Sequence, residues 1–170
     1  MKKTIVIVLL ATVVLSFTAC NSKQSEEEIS PKSSKETEDS TQIANPFVDC
    51  DTLEDACALA GFDISVPETI EGYEKPVNRA IENDLIEIIY QNGDNEIRIR
   101  KALGDEDISG DYNEYAENST ITMEDLEIKT RGEEGKINVA TWVKGDYSYS
   151  VSVSDGMEND SLINLIKDIQ

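Results

Sequence analysis

The sequence LIEIIYQNGDNEIRIRK, which runs from Leu85 to Lys101, predicts a β-hairpin. Two runs of alternating residues flank Asn92-Gly93, and Asn-Gly is the strongest two-residue hairpin signal because both central positions need a positive φ. A turn at these residues makes one face of the hairpin apolar and places a charge pair on the other. The predicted cross-strand pairs are Ile88 with Ile97, Ile86 with Ile99, and Glu87 with Arg98.

Three later runs predict a second antiparallel set of strands, over 126–130, 137–143 and 147–153. We expect Gly145 to be the left-handed residue of a three-residue loop between the last two runs. The pairs that follow from this loop are Val139 with Tyr149 and Ile137 with Val151. The opposite side is then polar, because it carries Ser148, Ser150 and Ser152.

Two helices are predicted to flank these strands. Thr52-x-x-Asp55 resembles a capping box, and apolar residues at helical spacing follow it up to Gly61, so a helix is expected over 52–60. Residues 62–66 are expected to be extended. An apolar stripe at helical spacing predicts an amphipathic helix over 159–169. This stripe consists of Leu162, Leu165, Ile166 and Ile169.

Together these elements predict an α+β fold, a curved antiparallel sheet of about six strands with an N-terminal and a C-terminal helix packed on it. The serine-rich side indicates that one face of the sheet is at least partly wet. A chain of 170 residues with one such set of elements predicts a single globular domain, over 46–170. Its predicted core includes Ile86, Ile88, Ile97, Ile99, Val139, Tyr149, Val151, Leu162 and Ile166.

The first twenty residues predict a lipoprotein signal peptide. A basic start and an apolar run up to Phe17 precede the small residues Thr18-Ala19 and then Cys20. The run is too short for a transmembrane helix, which needs about 20 residues. We predict that residues 1–19 are removed and that Cys20 is lipidated, which would anchor the protein at the extracytoplasmic face of the cell membrane. The alternative is an ordinary signal peptide cut near Ala19, with no role for Cys20.

Residues 20–45 are predicted to be a disordered polar tether. They contain almost no apolar residues, so they cannot bury enough surface to offset the entropy of ordering. Loss of Lys2 and Lys3 with the signal peptide changes the net charge from −20 to −22. Such a charge excludes a general nucleic-acid binder and favours cations or cationic partners.

Several short motifs resemble those of a known family when they are taken together. They are Asn45-Pro46, Thr52–Ala56, Ala60-Gly61-Phe62, Pro67, Ile99–Ala102, Asp107–Tyr112, Ala140–Trp142 and Tyr147–Tyr149. Their succession over essentially all of 46–170 resembles a domain-of-unknown-function family of lipoproteins in Gram-positive bacteria. Related domains occur on the outer side of anti-sigma-type membrane proteins. The resemblance implies an extracytoplasmic α+β domain and supplies no catalytic or binding residues.

Cys50 and Cys57 are a candidate disulfide, because two cysteines in an exported domain often pair. The alternative is two unpaired, partly buried thiols. Their spacing is not Cys-x-x-Cys, which disfavours a redox-catalytic role.

An acidic stretch from Asp105 to Asn113 resembles part of a calcium loop. Asp105, Asp107 and Ser109 fall at ligand positions one, three and five, and Gly110 falls at the sharp turn. Ala116 stands where the bidentate Glu is expected, so we predict at most weak calcium binding and favour a plain acidic loop. The candidate ligands are Asp105, Asp107, Ser109 and Asp111, and no other cofactor is predicted.

Two further features are candidates for binding. Trp142 lies beside the serine-rich side in the predicted register, so it could line a groove, although packing under a helix is the commoner role. Arg98, Arg100 and Lys101 form a basic island, which we expect to be a solvated face paired with Glu87.

The chain contains no histidine, which excludes Ser-His-Asp and Cys-His nucleophile systems and His-ligated zinc or haem. We therefore predict a membrane-anchored extracytoplasmic binding or sensory domain that is not an enzyme. Its partner, a protein or a small molecule, is not specified by the sequence. The alternative is a small carboxylate-based hydrolase of cell-wall glycan, which needs two acids about 5–10 Å apart across a groove.

Overall fold

The computed structural model describes residues 45–170. The predicted signal peptide, Cys20 and residues 20–44 of the predicted tether lie outside the described residues. In the described part of the chain, neither helix is long and apolar enough to cross a membrane.

Ten elements of secondary structure follow one another along residues 45–170. They are β1 (Val48–Cys50), α1 (Leu53–Ala60), β2 (Val77–Ile81), β3 (Leu85–Asn92), β4 (Asn95–Leu103), β5 (Glu117–Met123), β6 (Leu126–Glu133), β7 (Lys136–Lys144), β8 (Tyr147–Met157) and α2 (Asn159–Lys167). The strands form one antiparallel sheet in the order β1-β2-β3-β4-β8-β7-β6-β5. Two four-stranded meanders therefore meet where β4 pairs with β8.

The predicted α+β class with about six strands is wrong, because the described chain is mostly a single eight-stranded antiparallel sheet with two short helices. Helix α1 follows β1, so it is not the first element of the fold. Strands β1, β2 and β5 have no counterpart among the predicted strands. β1 has only three residues, and β5 is exposed along most of its length and shows little apolar alternation. Residues 62–66 lie in a loop.

The β3–β4 hairpin turns at Gly93-Asp94, one residue later than predicted. Ile88 consequently pairs with Ile99, and Glu87 pairs with Arg100. Gly93 has a φ of 60°, and glycine at the first central position is typical of a type II′ turn. The predicted partners are displaced by two residues, which keeps every side chain on its predicted face.

The β7–β8 hairpin differs from its prediction in a way that changes faces. Its turn consists of two residues, Gly145-Asp146, so Trp142 pairs with Tyr149 and Val139 pairs with Ser152. The partners are displaced by three residues, an odd number, and Val139 therefore lies on the side that carries the serines. The predicted pairs Val139–Tyr149 and Ile137–Val151 are both wrong.

The core lies between the apolar face of the sheet and the two helices. Helix α1 contacts β1, β2 and β3, whereas α2 contacts β7. The Thr52 hydroxyl accepts a hydrogen bond from the Asp55 amide at 3.1 Å, which caps α1 as the sequence pattern predicts. The buried apolar cluster includes Ala56, Ala60, Ile86, Ile88, Tyr90, Ile97, Ile99, Ile128, Trp142, Tyr149, Val151, Leu162 and Ile166.

Candidate functional site on the polar face

The sheet face opposite the core carries a row of polar side chains that crosses seven strands. We call this side the polar face. Cross-strand pairing places one residue of each strand in the row, which reads Arg79, Glu87, Arg100, Ser150, Thr141, Lys129 and Thr120. The alternation of residues along the strands thus produces a continuous polar track.

Glu87 is the centre of a buried ion cluster at one end of this track. Its side chain is 0% exposed. It accepts hydrogen bonds from Arg79 Nε at 2.9 Å and from Arg100 Nε at 2.7 Å, and Arg98 Nε lies 3.4 Å from its Oε2 atom. The ring of Phe47 lies over the Arg79 and Arg100 guanidinium groups, at 5.1 and 5.8 Å. The predicted solvated charge pair is therefore a covered network of one carboxylate and three guanidinium groups.

Lys101 does not belong to this network, although the sequence groups it with Arg98 and Arg100. It lies on the apolar face and is 7% exposed. Its ammonium group donates to the Asp63 carbonyl at 2.6 Å and lies 4.6 Å from the Tyr147 ring centre and 5.2 Å from that of Tyr149. Aromatic faces and one carbonyl thus compensate its charge.

Residues 104–116 form a loop without helix or strand that crosses the polar face, and we call it the covering loop. Arg100 Nη1 donates to the carbonyls of Ile108 and Ser109 at 2.9 and 2.8 Å. Arg131 Nη2 donates to Asp107 Oδ2 and to the Ser109 hydroxyl, both at 3.1 Å. Arg100 is on β4 and Arg131 is on β6, so the loop spans the two strands between them, which explains why Val139 is buried on this face.

Gly110 lets the covering loop approach Arg100 closely. It has a φ of 65°, and a Cβ atom at this position would lie 2.4 Å from Arg100 Nη1. Any other residue would have to displace the guanidinium group that holds the loop.

The candidate calcium ligands in the covering loop mostly bind the loop itself. Asp107 Oδ1 accepts from the Ser109 amide at 2.8 Å, and Asp111 accepts from the Asn113 amide and the Tyr115 hydroxyl, both at 2.9 Å. Burial, followed by the hydrogen bond to Asp111, raises the pKa of Tyr115 above its ordinary value. Among residues 45–170, no group of three or more His, Cys, Asp or Glu side chains is placed to hold a metal ion.

Asp105 instead lines an acidic groove of about 480 Å³ at the edge of the covering loop. The groove brings carboxylates of the loop together with carboxylates of the β5–β6 hairpin. These acids are Asp105, Glu106, Asp107, Asp125 and Glu127, and the basic residue Lys129 also lines the groove.

A second cleft, of about 450 Å³, lies between the other end of the covering loop and strands β4, β7 and β8. We call it the Arg98 cleft. Three residues that line it carry a buried polar atom that forms no hydrogen bond within the protein: Arg98 Nε, Asn138 Oδ1 and Ser152 Oγ. Arg98 Nε keeps its ion-pair contact with Glu87 at 3.4 Å. Ser150 Oγ, two residues along β8 on the same face, is the fourth such atom in residues 45–170.

The orientation of the Asn138 amide is fixed by its neighbours. Its Nδ2 atom donates to the carbonyls of Val153 and Ser154, both at 3.3 Å, so its Oδ1 atom is the one without a partner. Asn138 lies where the β7–β8 register shifts, between Ile137 and Val139. Strand alternation in the sequence predicts that Arg98 and Ser152 lie on the polar face. It does not predict the position of Asn138, because that position depends on a bulge.

Trp142 is among the residues that line the acidic groove, whereas the two cysteines line neither that groove nor the Arg98 cleft. The Trp142 side chain is 4% exposed and stacks on Tyr149, with ring centres 5.3 Å apart and planes 5° apart. Cys50 and Cys57 are unpaired in the structure and both are partly buried. Burial, followed by the charge of Asp55, raises the pKa of Cys50 above its ordinary value.

Comparison of the chain with protein-family models, with curated proteins and with solved structures finds no match. The resemblance to a lipoprotein family therefore stays a prediction.

Proposed function

We propose that this chain is a membrane-anchored, extracytoplasmic binding or sensory domain that takes a small uncharged polar ligand in the Arg98 cleft. The anchor is the predicted lipid on Cys20, and residues 20–45 would hold the domain away from the membrane. One observation carries the proposal, namely the grouping at a single cleft of three buried polar atoms that form no hydrogen bond within the protein.

The hydrogen-bonding capacity of the three atoms defines what the ligand must offer. A buried polar atom without a partner is unfavourable by about 1–3 kcal/mol, so three at one place favour a role in binding. Arg98 Nε can only donate, Asn138 Oδ1 can only accept, and the Ser152 hydroxyl can do both. A molecule with neighbouring hydroxyl or amide groups would satisfy all three.

The charges at the cleft favour an uncharged ligand. Arg98 Nη2 donates to the Glu96 carboxylate at 2.5 Å, and Asp111 accepts from Asn113 and Tyr115. Each charged side chain that lines the cleft thus has a polar partner already. The net charge of −20 further disfavours an anion.

Two tyrosines of the covering loop make a saccharide the best fit. Tyr112 is 95% exposed and Tyr115 is partly buried, and both line the cleft. An aromatic ring offers an apolar face on which a sugar ring can stack. Because the three polar atoms are covered, binding would require residues 110–115 to move outward.

The experiment is a titration of the purified mature chain with triacetylchitotriose, an uncharged sugar that carries hydroxyl and amide groups. We expect saturable binding, and at a hundredfold excess over Kd the free energy of unfolding should rise by about 2.7 kcal/mol. Ser152→Ala should weaken binding about tenfold, whereas Ser148→Ala, on the same face of the same strand, should leave it unchanged. Absence of binding, or equal binding by both variants, would contradict the proposal.

The anchor is tested separately. Cys20→Ala should move the chain from the membrane fraction and abolish labelling by a fatty-acid probe. Unchanged labelling would show that the predicted lipidation site is wrong, whatever the cleft binds.

A second candidate function is the carboxylate-based hydrolase of cell-wall glycan, and the acidic groove is the observation that favours it. Incubation of the mature chain with cell-wall polysaccharide would then release new reducing ends. Activity that disappears in Asp125→Asn, while Glu114→Gln outside the groove keeps it, would establish this candidate over binding alone.

A further inference from the structure

We infer that the free edge of β5 is a docking site for an extended, cationic segment of a partner protein, which adds to the sheet as a ninth strand. This surface is separate from the Arg98 cleft and adds a protein partner to the proposed function.

Strand β5 ends the sheet, with β6 as its one neighbour in the described chain. Its seven residues pair with β6 in a continuous register from Glu117 to Met123. Among residues 45–170, no turn or loop forms a backbone–backbone hydrogen bond to this strand. In an antiparallel pair, every second residue directs its N–H and C=O groups away from the neighbour, so β5 offers a row of such groups to another strand.

Most of the usual protections of an edge strand are missing from β5, whose one charged residue is Glu117 at its first position. Proteins shield such edges with very short strands, prolines, lysines or bulges. The opposite edge strand, β1, is protected by its shortness, since it has only three residues. The β5 sequence, ENSTITM, contains neither Pro nor Lys, and most of its side chains are exposed.

A groove with a mixed lining lies at the Met123 end of this strand, on the core side of the sheet. Its volume is about 590 Å³, and its apolar residues include Met123, Leu126, Trp142, Ile166 and Ile169. Its charged residues are Glu124, Asp125, Lys144 and Lys167. A strand added beside β5 would direct alternate side chains to that side. The partner segment should therefore carry an apolar residue at every second position.

Charge around the edge favours a cationic segment over other occupants. The exposed acids Glu117, Glu124, Asp125 and Glu127 lie on β5 and its hairpin with β6. Lys144 and Lys167 lie at the far side of the groove, on other elements, and Lys129 is the nearest cation in sequence. A second copy would bring two strongly acidic chains together. Residues 20–45 contain six acids against three lysines, so they too lack the complementary charge.

The test uses the purified mature chain and a nine-residue peptide of alternating valine and lysine with blocked ends. Binding should slow amide hydrogen exchange in β5 and leave residues 109–115 unchanged. Ile121→Lys, which places a charge on the groove side, should weaken binding about tenfold or more. The matched variant Thr122→Lys adds the same charge on the other side of the strand and should have a small effect.

Three results would overturn the inference. One is equal weakening by Ile121→Lys and Thr122→Lys, which would show general charge attraction. Another is binding of the peptide with a central proline as tightly as the original, since proline removes a ladder hydrogen bond. The third is exchange protection of β5 by self-association without peptide, which would make a second copy the occupant. Ser152→Ala should not affect peptide binding, so failure here and failure of the ligand proposal are distinguishable.

Discussion

The apolar face and the polar face of this sheet are built from the same strands, yet different interactions fill the space above them. Above the apolar face, α1 and α2 supply side chains that pack without polar gaps, and the buried Lys101 has its own carbonyl and aromatic partners. Above the polar face lie the Glu87 cluster and a loop held by two arginines. All four buried side-chain atoms without a partner in the described chain belong to residues of this polar side or of the β7 bulge beside it. This difference supports our proposal that the polar side serves recognition, whereas the apolar side forms the core.

Truncation in the apolar face should have the largest effect on stability. Ile99 is 0% exposed and pairs with Ile88 in the centre of the sheet. Ile99→Ala should lower the free energy of unfolding by about 4 kcal/mol, through lost burial and the cavity that remains. Denaturant titration measures this, and a loss below about 0.5 kcal/mol would mean that the faces are assigned in reverse.

The Glu87 cluster should have the next largest effect, because both oxygens of its buried carboxylate accept hydrogen bonds from guanidinium groups. Glu87→Gln removes the carboxylate and leaves three guanidinium groups close together, which should destabilise the fold by about 3 kcal/mol. Glu96→Gln breaks a partly exposed pair and should change stability by less than about 1 kcal/mol. Equal losses would show that burial of the cluster is energetically unimportant.

Sequence reasoning works better for the apolar face than for the polar one, for physical reasons. Ile86, Ile88, Ile97 and Ile99 keep their predicted face, because an error of one residue in the turn displaces partners by two. In the β7–β8 hairpin, the change from a three-residue to a two-residue turn moves Val139 to the other face. Strand β5 is an exposed edge, so burial imposes no clear apolar alternation on its sequence.

The candidate site was accessible to sequence analysis only in part. The alternating arginines of β4 and serines of β8 predict a polar side of the sheet, and the acidic stretch from Asp105 to Asn113 predicts a loop. Which loop covers which strands depends on contacts between residues far apart in sequence, such as Arg131 with Ser109. The position of Asn138 depends on a bulge that no local pattern indicates.

A smaller effect on the apolar side concerns Tyr90, whose hydroxyl donates to the Pro67 carbonyl at 2.5 Å. Burial raises the pKa of Tyr90 to about 12. The folded chain therefore holds this proton more tightly than the unfolded chain, so its stabilising effect is complete below pH 10 and is lost as pH rises from 10 to 12.

Tyr90→Phe removes both the hydrogen bond and this titration. We expect a loss of about 1 kcal/mol at neutral pH and a flatter decline of stability between pH 10 and 12. Denaturant titrations across that range measure both quantities. If the free energy of unfolding of the variant falls as steeply between pH 10 and 12, the fall arises from groups other than Tyr90.

The most direct test of the contrast between the faces is the stability of two serine variants without ligand. Ser148 donates to the Gly104 carbonyl at 3.1 Å, whereas Ser152 Oγ is buried without a protein partner. Ser148→Ala should lower the free energy of unfolding by about 1 kcal/mol, and Ser152→Ala should raise it by about 1 kcal/mol, because it removes a polar group that the fold does not satisfy. A loss in Ser152→Ala equal to that in Ser148→Ala would show that both hydroxyls serve the fold, and would contradict a polar face kept for recognition.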